Sequence, residues 1–150
     1  MRVVIQRVSQ ASVTIEGKLF SEIGKGLLVL VGFEGGDTEK TLEKICAKIV
    51  QMRIFSDSEG KMNLSVLDVD GGILVVSQFT LHASTRKGNR PSFIKAAPTT
   101  ISEPLYKAFT KKLCEYLMKP VETGIFGADM KVALVNDGPV TIVMDTEKPE

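Results

Sequence analysis

An eight-residue run, "GLLVLVGF" at 26–33, constrains the fold more than any other stretch of this chain. It holds no polar side chain, so it reads as a buried strand, and Gly35-Gly36 end it. It is also the longest apolar run, and at that length it cannot span a bilayer. With 150 residues, 43% hydrophobic and 25% charged, the composition is that of an ordinary soluble globular protein. One domain, 1–150, is long enough to bury a core around such a strand. The first residues, "MRVVIQRVSQASV", alternate apolar and polar positions and lack the continuous apolar stretch of a signal peptide. A cytosolic protein without a membrane segment is expected.

The neighbouring segments supply the rest of the architecture. Residues 2–8 and 11–15 alternate as strands do, with a bend expected at Ser9-Gln10, and Leu19–Ile23 follows the turn signal "EGK". Leu42, Ile45, Cys46 and Ile49 recur at helical spacing behind a cap at Asp37 or Thr38. "RIF" at 53–55 reads as a short strand, "SDSEGKMN" as a loop and "ILVVSQFTL" at 73–81 as a strand. A second helix is expected from about Thr100, where Thr100 and Glu103 have capping-box spacing. Its stripe is Leu105, Phe109, Leu113, Tyr116 and Leu117, and Pro120 stops it. "VETGIF", "ADMKVALVN" and "PVTIVMD" read as two or three final strands. This order predicts an α+β fold, a curved, barrel-like and mainly antiparallel sheet with two packed helices.

Charge and cysteine content narrow the function classes. Net charge is +1, so any nucleic-acid contact must be local. The two cysteines, Cys46 and Cys114, sit far apart in helical segments and read as buried free thiols. With a single histidine and no cysteine cluster, no metal site is expected. A local cluster of positive charge does occur, "TRKGNR" at 85–90 with Lys95 beyond it. It reads equally as a phosphate contact and as a solvated loop, and Lys107, Lys111 and Lys112 on the second helix either extend it or form that helix's wet face.

Two places break the hydrophobic pattern. In "ILVVSQFTL", Ser77, Gln78 and Thr80 interrupt both faces of the strand at one end. They are either a hydrogen-bonding cluster or a strand emerging into solvent. Thr80 would need a base to act as nucleophile. His82 shares its face only if the strand runs that far, and the sequence offers it no orienting carboxylate. In "VNDGPVTIVMD", Gly138-Pro139 sits beside a good strand, although proline donates nothing to a sheet ladder. The plain reading is a hairpin turn between the last two strands. The alternative is that a cis Gly-Pro bond turns the carbonyls of Gly138 and Pro139 to similar sides, as a rigid acceptor pair for a substrate ammonium.

"SQFTL" at 77–81 together with "NDGPVT" at 136–141 resembles the paired signature of the D-aminoacyl-tRNA deacylases. "MRVVIQRVSQASV", "KGNRPSF" at 87–93, "EPLYKAF" at 103–109 and "VETGIFGADMKVALVNDGPVT" at 121–141 are similar to that family as well. The resemblance implies a cofactor-free hydrolase that cleaves the ester joining a D-amino acid, or glycine, to the acceptor end of tRNA. It further implies a homodimer with active sites at the interface, and a cis Gly138-Pro139 that enters the partner's pocket and rejects L-amino acids. Ser77, Gln78 and Thr80 would be catalytic; Phe79, Gly138, Pro139 and Arg7 would bind substrate. Gln78 and the backbone of Phe79-Thr80 would polarise the ester carbonyl. Hydrolysis would use either Thr80 or the 2′-hydroxyl of the terminal adenosine, and the missing base beside Thr80 favours the hydroxyl. A non-catalytic nucleic-acid-binding module built on "TRKGNR", and a serine-type esterase dependent on His82, are the other readings.

Overall fold

The computed structural model describes residues 1–149. Strands β1 (Arg2–Ile15), β2 (Lys18–Ile23) and β3 (Gly26–Gly32) precede helix α1 (Glu39–Gln51). Short strands β4 (Phe55–Ser56) and β5 (Met62–Leu64) form a small hairpin of their own. Then come β6 (Gly72–Ser77), a single 3₁₀ turn (Phe79–His82), α2 (Thr99–Leu117), β7 (Glu122–Thr123) and β8 (Lys131–Asp145). The main sheet is curved and nearly closes into a barrel. β1 pairs antiparallel with β2, β3 and β8, whereas β3–β6 and β6–β7 are parallel. The expected α+β, barrel-like sheet with two helices is present, with a larger parallel share than the sequence suggested.

Burial on both faces explains the run at 26–33. Leu27, Val29 and Val31 pack with Val3, Ile5, Ile73 and Val75 beneath the helices, which contribute Leu42, Cys46, Ile49, Phe109 and Leu113. Leu28 points the other way, with Val8, Val13, Leu74 and Val76, into the concave side lined by Met130, Val132 and Leu134. Tyr106 adds a polar tie to this core: its hydroxyl donates to the Val75 carbonyl at 2.9 Å. Burial pushes that phenol up to about 12.

Several expected boundaries move. β1 is one continuous strand with no bend at Ser9-Gln10; a change of register there takes up the irregularity. The last two expected strands are likewise one strand, β8, so Gly138-Pro139 is a bulge and not a hairpin. The strand at 73–81 ends at Ser77, because its partner β3 ends at Gly32. Gln78 N makes the last contact with β3, donating to Val31 O at 2.7 Å, and the chain then coils into the 3₁₀ turn. Helix α2 begins one turn-position early behind Pro98, with no side-chain cap; Glu103 pairs with Lys107 instead of closing a capping box. In α1, Thr38 is the cap and exchanges hydrogen bonds with Thr41. Asp37 is used elsewhere, accepting from the Met1 amino group and from Glu34 N. Met62–Leu64 is strand where a loop was expected, and only Glu122–Thr123 of "VETGIF" is extended. Cys46 is fully buried and its thiol is pushed up to about 12 by desolvation, while Cys114 is only half-buried.

Candidate functional site

The polar end of β6 opens into a cavity of about 630 Å³. Ser77, Gln78 and Phe79 line it, facing Phe93, Pro98 and Ser102 on one side and Phe126, Met130 and Val132 on the other. The 3₁₀ turn sets their geometry. Gln78 is the residue before the turn, and its side-chain amide donates to the Thr80 hydroxyl. The N–H groups of Phe79 and Thr80 open the turn and take no acceptor among the described residues. The first N–H groups of any helical turn lack an internal partner, so these two are available to an oxyanion. Phe79 is exposed and packs edge-to-face on Phe93, ring centroids 5.1 Å apart.

The turn is clamped from behind. Arg2 donates from Nη1 to the Leu81 carbonyl at 2.9 Å and from Nε to Asp145 at 2.8 Å. Desolvation raises the Asp145 pKa, but the Arg2 contact and the N–H groups of Glu147 and Lys148 outweigh it and hold the carboxyl below the usual range. His82 is buried, with Nδ1 2.9 Å from Glu34 Oε1. The contact is short but poorly aligned, so it counts as a close polar pair and not as a hydrogen bond. No local pattern points to this carboxylate, because Glu34 reaches His82 only through the pairing of β3 with β6. The ring lies beside Gly32, which has no side chain to exclude it, and no hydrogen bond joins the His82 ring to Thr80 among the described residues.

The Gly138-Pro139 segment lies elsewhere. β8 pairs only with β1, so the bulge projects from a sheet edge, where proline's missing donor costs no ladder bond. Asp137, Gly138, Pro139 and Val140 together oppose Arg7 alone, since Gln6 pairs with Thr141 and Val8 with Asn136. Two side chains close the bulge. Asn136 Oδ1 accepts from Val140 N at 2.8 Å. The guanidinium of Arg7, itself buried, donates to Asp137 O at 2.8 Å and to Ile54 O at 2.6 Å. The Gly138-Pro139 peptide bond is cis, and Gly138 has φ +141°, a conformation that L side chains rarely adopt.

Within one chain these two groups do not meet. Neither Gly138 nor Pro139 lines the cavity that Ser77, Gln78 and Phe79 line. Ser77 is level with Val31 and so with Val3, four residues along β1 from Arg7. That offset is about 13 Å along the strands, with three inter-strand steps of about 4.8 Å across. A larger cleft, about 840 Å³, runs between α1 and the end of β8, but none of the signature residues lines it. Phe93 is a site neighbour that no pattern argument singles out, inside "KGNRPSF"; Asn136 reads in the sequence as a turn signal, and its structural role is to close the bulge.

Comparisons with known proteins agree in one direction. A family model described as D-Tyr-tRNA(Tyr) deacylase matches residues 4–145. Proteins named D-aminoacyl-tRNA deacylase in Flavobacterium johnsoniae and Bacteroides thetaiotaomicron are each 61% identical over 150 residues, covering all of both chains. Among solved structures, the c-Myc DNA Unwinding Element Binding Protein superposes with a TM-score of 0.92 at 44% identity, over 97% of this chain and 99% of that one. A probable eukaryotic D-amino acid tRNA deacylase shares the fold, with a TM-score of 0.82 at 19% identity over 95% and 97% of the two chains. No helix among the described residues is long and apolar enough to cross a membrane.

Proposed function

The chain belongs to the D-Tyr-tRNA(Tyr) deacylase family and is a carboxylic-ester hydrolase acting on D-aminoacyl-tRNA; from that premise we propose which esters it cleaves and how its two signature segments share the work. It hydrolyses D-aminoacyl- and glycyl-tRNA in the cytoplasm, as translation quality control, and works as a homodimer. The observation that carries this reading is the separation of the segments within one chain. Gly138-Pro139 stands on an edge strand, away from the cavity of Ser77, Gln78 and Phe79. A two-fold dimer brings each patch of one subunit against the other, so the Gly138-Pro139 of one subunit completes the cavity of its partner.

The carbonyls of Gly138 and Pro139 hold the substrate's α-ammonium. Phe79 and the wall around it leave no room for a side chain in the L position, while a D side chain points outward. Glycine has no side chain to exclude and is therefore cleaved. Gln78 and the N–H groups of Phe79 and Thr80 stabilise the oxyanion. Ser77 lines the cavity beside them. Thr80 has an amide donor beside its hydroxyl, and an amide takes no proton. The attacking water is accordingly activated by the 2′-hydroxyl of the terminal adenosine. Arg7 holds the Gly138-Pro139 segment in position.

Mixing two defective chains tests the shared site. In Gly138→Ala the new Cβ would meet Arg7 Nη2 and Val140 Cγ2, both at 2.9 Å, at a φ that disfavours it. Gln78→Ala removes the donor on the other segment. Each variant alone is expected to be inactive on D-tyrosyl-tRNA. Refolded together, half the dimers are mixed and each has one intact site, which restores about a quarter of the activity. No recovery on mixing would overturn the cross-subunit site. A parallel assay with D-tyrosyl-, L-tyrosyl- and glycyl-tRNA is expected to spare only the L ester. Thr80→Ala should keep substantial activity, whereas a 2′-deoxy terminal adenosine should abolish it.

A second reading follows from the 44% identical relative whose name describes DNA binding. It makes the basic loop a duplex-DNA surface. Tight, strongly salt-dependent binding of duplex DNA without ester turnover would favour it.

A further inference from the structure

We propose that the loop at 85–90 is a phosphate clamp that grips the single-stranded acceptor end of the tRNA just beyond the ester being cleaved. This inference rests on the deacylase reading and assigns part of its substrate to a surface outside the cavity. Three observations carry it.

The first is charge. Between Asp70 and Glu103 the chain has no acidic residue, and its only lysines and arginines are Arg86, Lys87, Arg90 and Lys95. None of the four forms an ion pair with a described residue. Some cations elsewhere are spent locally, as in Lys107–Glu103, Lys112–Glu115 and Lys131–Asp129; others, such as Lys40, Lys44 and Lys48, form no ion pair with a described residue but share their helix with Glu39 and Glu43. In a chain with a net charge of only +1, unneutralised cations gathered in one loop make a local anion-attracting surface.

The second is exposure on a fixed base. Every residue from Thr85 to Lys95 is exposed. The base of the loop is nevertheless tied: Ser84 N donates to Ser92 O at 2.8 Å and Ser92 N to Ser84 O at 3.0 Å. Gly88, at φ +62°, turns the apex. The cations are therefore free in water yet anchored in place, which suits contact with a flexible, fully hydrated phosphodiester.

The third is position. Phe93 follows the loop directly and packs on Phe79 at the cavity wall. Arg90 is three residues from Phe93, within about 11 Å along the chain at 3.8 Å per Cα step. An adenosine ester seated in the cavity leads its own 5′ phosphate out past these rings, and the next phosphates fall within reach of Arg90, Lys87 and Arg86. The contact is electrostatic and reads no base, so it adds affinity for any tRNA and leaves amino-acid choice to the cavity.

The test compares D-tyrosyl-tRNA with 3′-O-D-tyrosyl-adenosine, which has the ester but no phosphate. Arg86→Gln/Lys87→Gln/Arg90→Gln is set against Lys40→Gln/Lys44→Gln/Lys48→Gln, which removes the same charge from the α1 cleft. For the loop variant, the ratio of kcat/KM on tRNA to kcat/KM on the nucleoside ester should fall at least tenfold. The slope of log kcat/KM on tRNA against log salt should become shallower by about 2, at 0.7–0.9 per lost phosphate contact. Arg86→Lys/Arg90→Lys should keep the wild-type slope. An unchanged slope in the loop variant, or an equal change in the α1 variant, overturns the clamp while the deacylase reading stands. Failure of the wild type to cleave either ester overturns both.

Discussion

Gly32→Ala is the sharpest probe of how the site is held. Gly32 is the last residue of β3 and lies behind the 3₁₀ turn. A Cβ there would sit 2.7 Å from the Gln78 carbonyl oxygen, 3.1 Å from His82 Cδ2 and 3.3 Å from His82 Nε2. The ring can give by a few tenths of an ångström. The carbonyl gives only by straining its own segment, because Gln78 N is held by Val31 O at 2.7 Å and Leu81 N donates to that same carbonyl at 3.2 Å. Ordinary contact begins near 3.4 Å, so Gln78 must retreat by about 0.7 Å. Overpacking of this kind costs about 1–3 kcal/mol of stability. A displacement of about 1 Å in a positioning group costs about 100-fold in rate. We expect kcat/KM on D-tyrosyl-tRNA to fall about 30- to 100-fold, with a folded protein by urea titration. Gly35→Ala, where a Cβ meets nothing within 4 Å, serves as the control. Adding His82→Ala to Gly32→Ala removes the ring contacts and leaves the carbonyl clash, so activity should not return. Activity within twofold of wild type in Gly32→Ala, or rescue by His82→Ala, would refute the claim that this glycine positions Gln78.

Two further outcomes are expected. Tyr106→Phe deletes the hydroxyl that donates to Val75 O and should lower stability by about 1 kcal/mol in a denaturant titration; the effect stays that small because Val75 O keeps the N–H of Gly124 at 3.1 Å. The Asp145 carboxyl is depressed in the folded state from its usual 3.8, so its contribution is present above that value and fades as pH falls through the lower, folded one. The stability gap between wild type and Asp145→Asn should accordingly be widest above about pH 5 and close on acidification, as read from unfolding midpoints at stepped pH.

How much of this was legible in the sequence depended on the range of the interaction involved. Helix α1 was readable because its stripe and its Thr38 cap lie within a few residues of each other. The burial of 26–33 was readable because a run without polar residues has no alternative to a two-sided core. The end of β6 was not: "SQFTL" has the residues of a continuing strand, and what stops it is the end of β3 and the grip of Arg2 on Leu81. The continuity of β8 was hidden for the same reason. Gly138-Pro139 is a turn signal by any local rule. It becomes a bulge because Asn136 supplies the hydrogen bond that Val140 N loses, and because Arg7, 130 positions away in sequence, holds Asp137. The signature residues could be picked out one by one, but not their placement in two separate patches.

That separation also disposes of the serine-type esterase reading, although the chain contains the pair that such a reading asks for. His82 Nδ1 lies 2.9 Å from a carboxylate oxygen, though without a hydrogen bond to it. A base must also reach the proton it removes. This imidazole is buried behind Gly32, makes no hydrogen bond to a hydroxyl of the site, and packs beside the 3₁₀ turn. Thr80 meanwhile faces the Gln78 amide. The chain thus has a histidine beside a carboxylate but without a nucleophile, and a hydroxyl without a base. The proposed mechanism relies on fixed dipoles instead: two N–H groups at the start of the turn with no acceptor among the described residues, the Gln78 amide, and, on the edge strand β8, the carbonyls of Gly138 and Pro139. Arg2 and Arg7, both on β1, hold one group each, and β1 is the strand that pairs with β8 along nearly its whole length. Positioned dipoles stabilise charge at a reacting ester without a protein nucleophile, which is the arrangement that the proposed role of the substrate's own 2′-hydroxyl builds on.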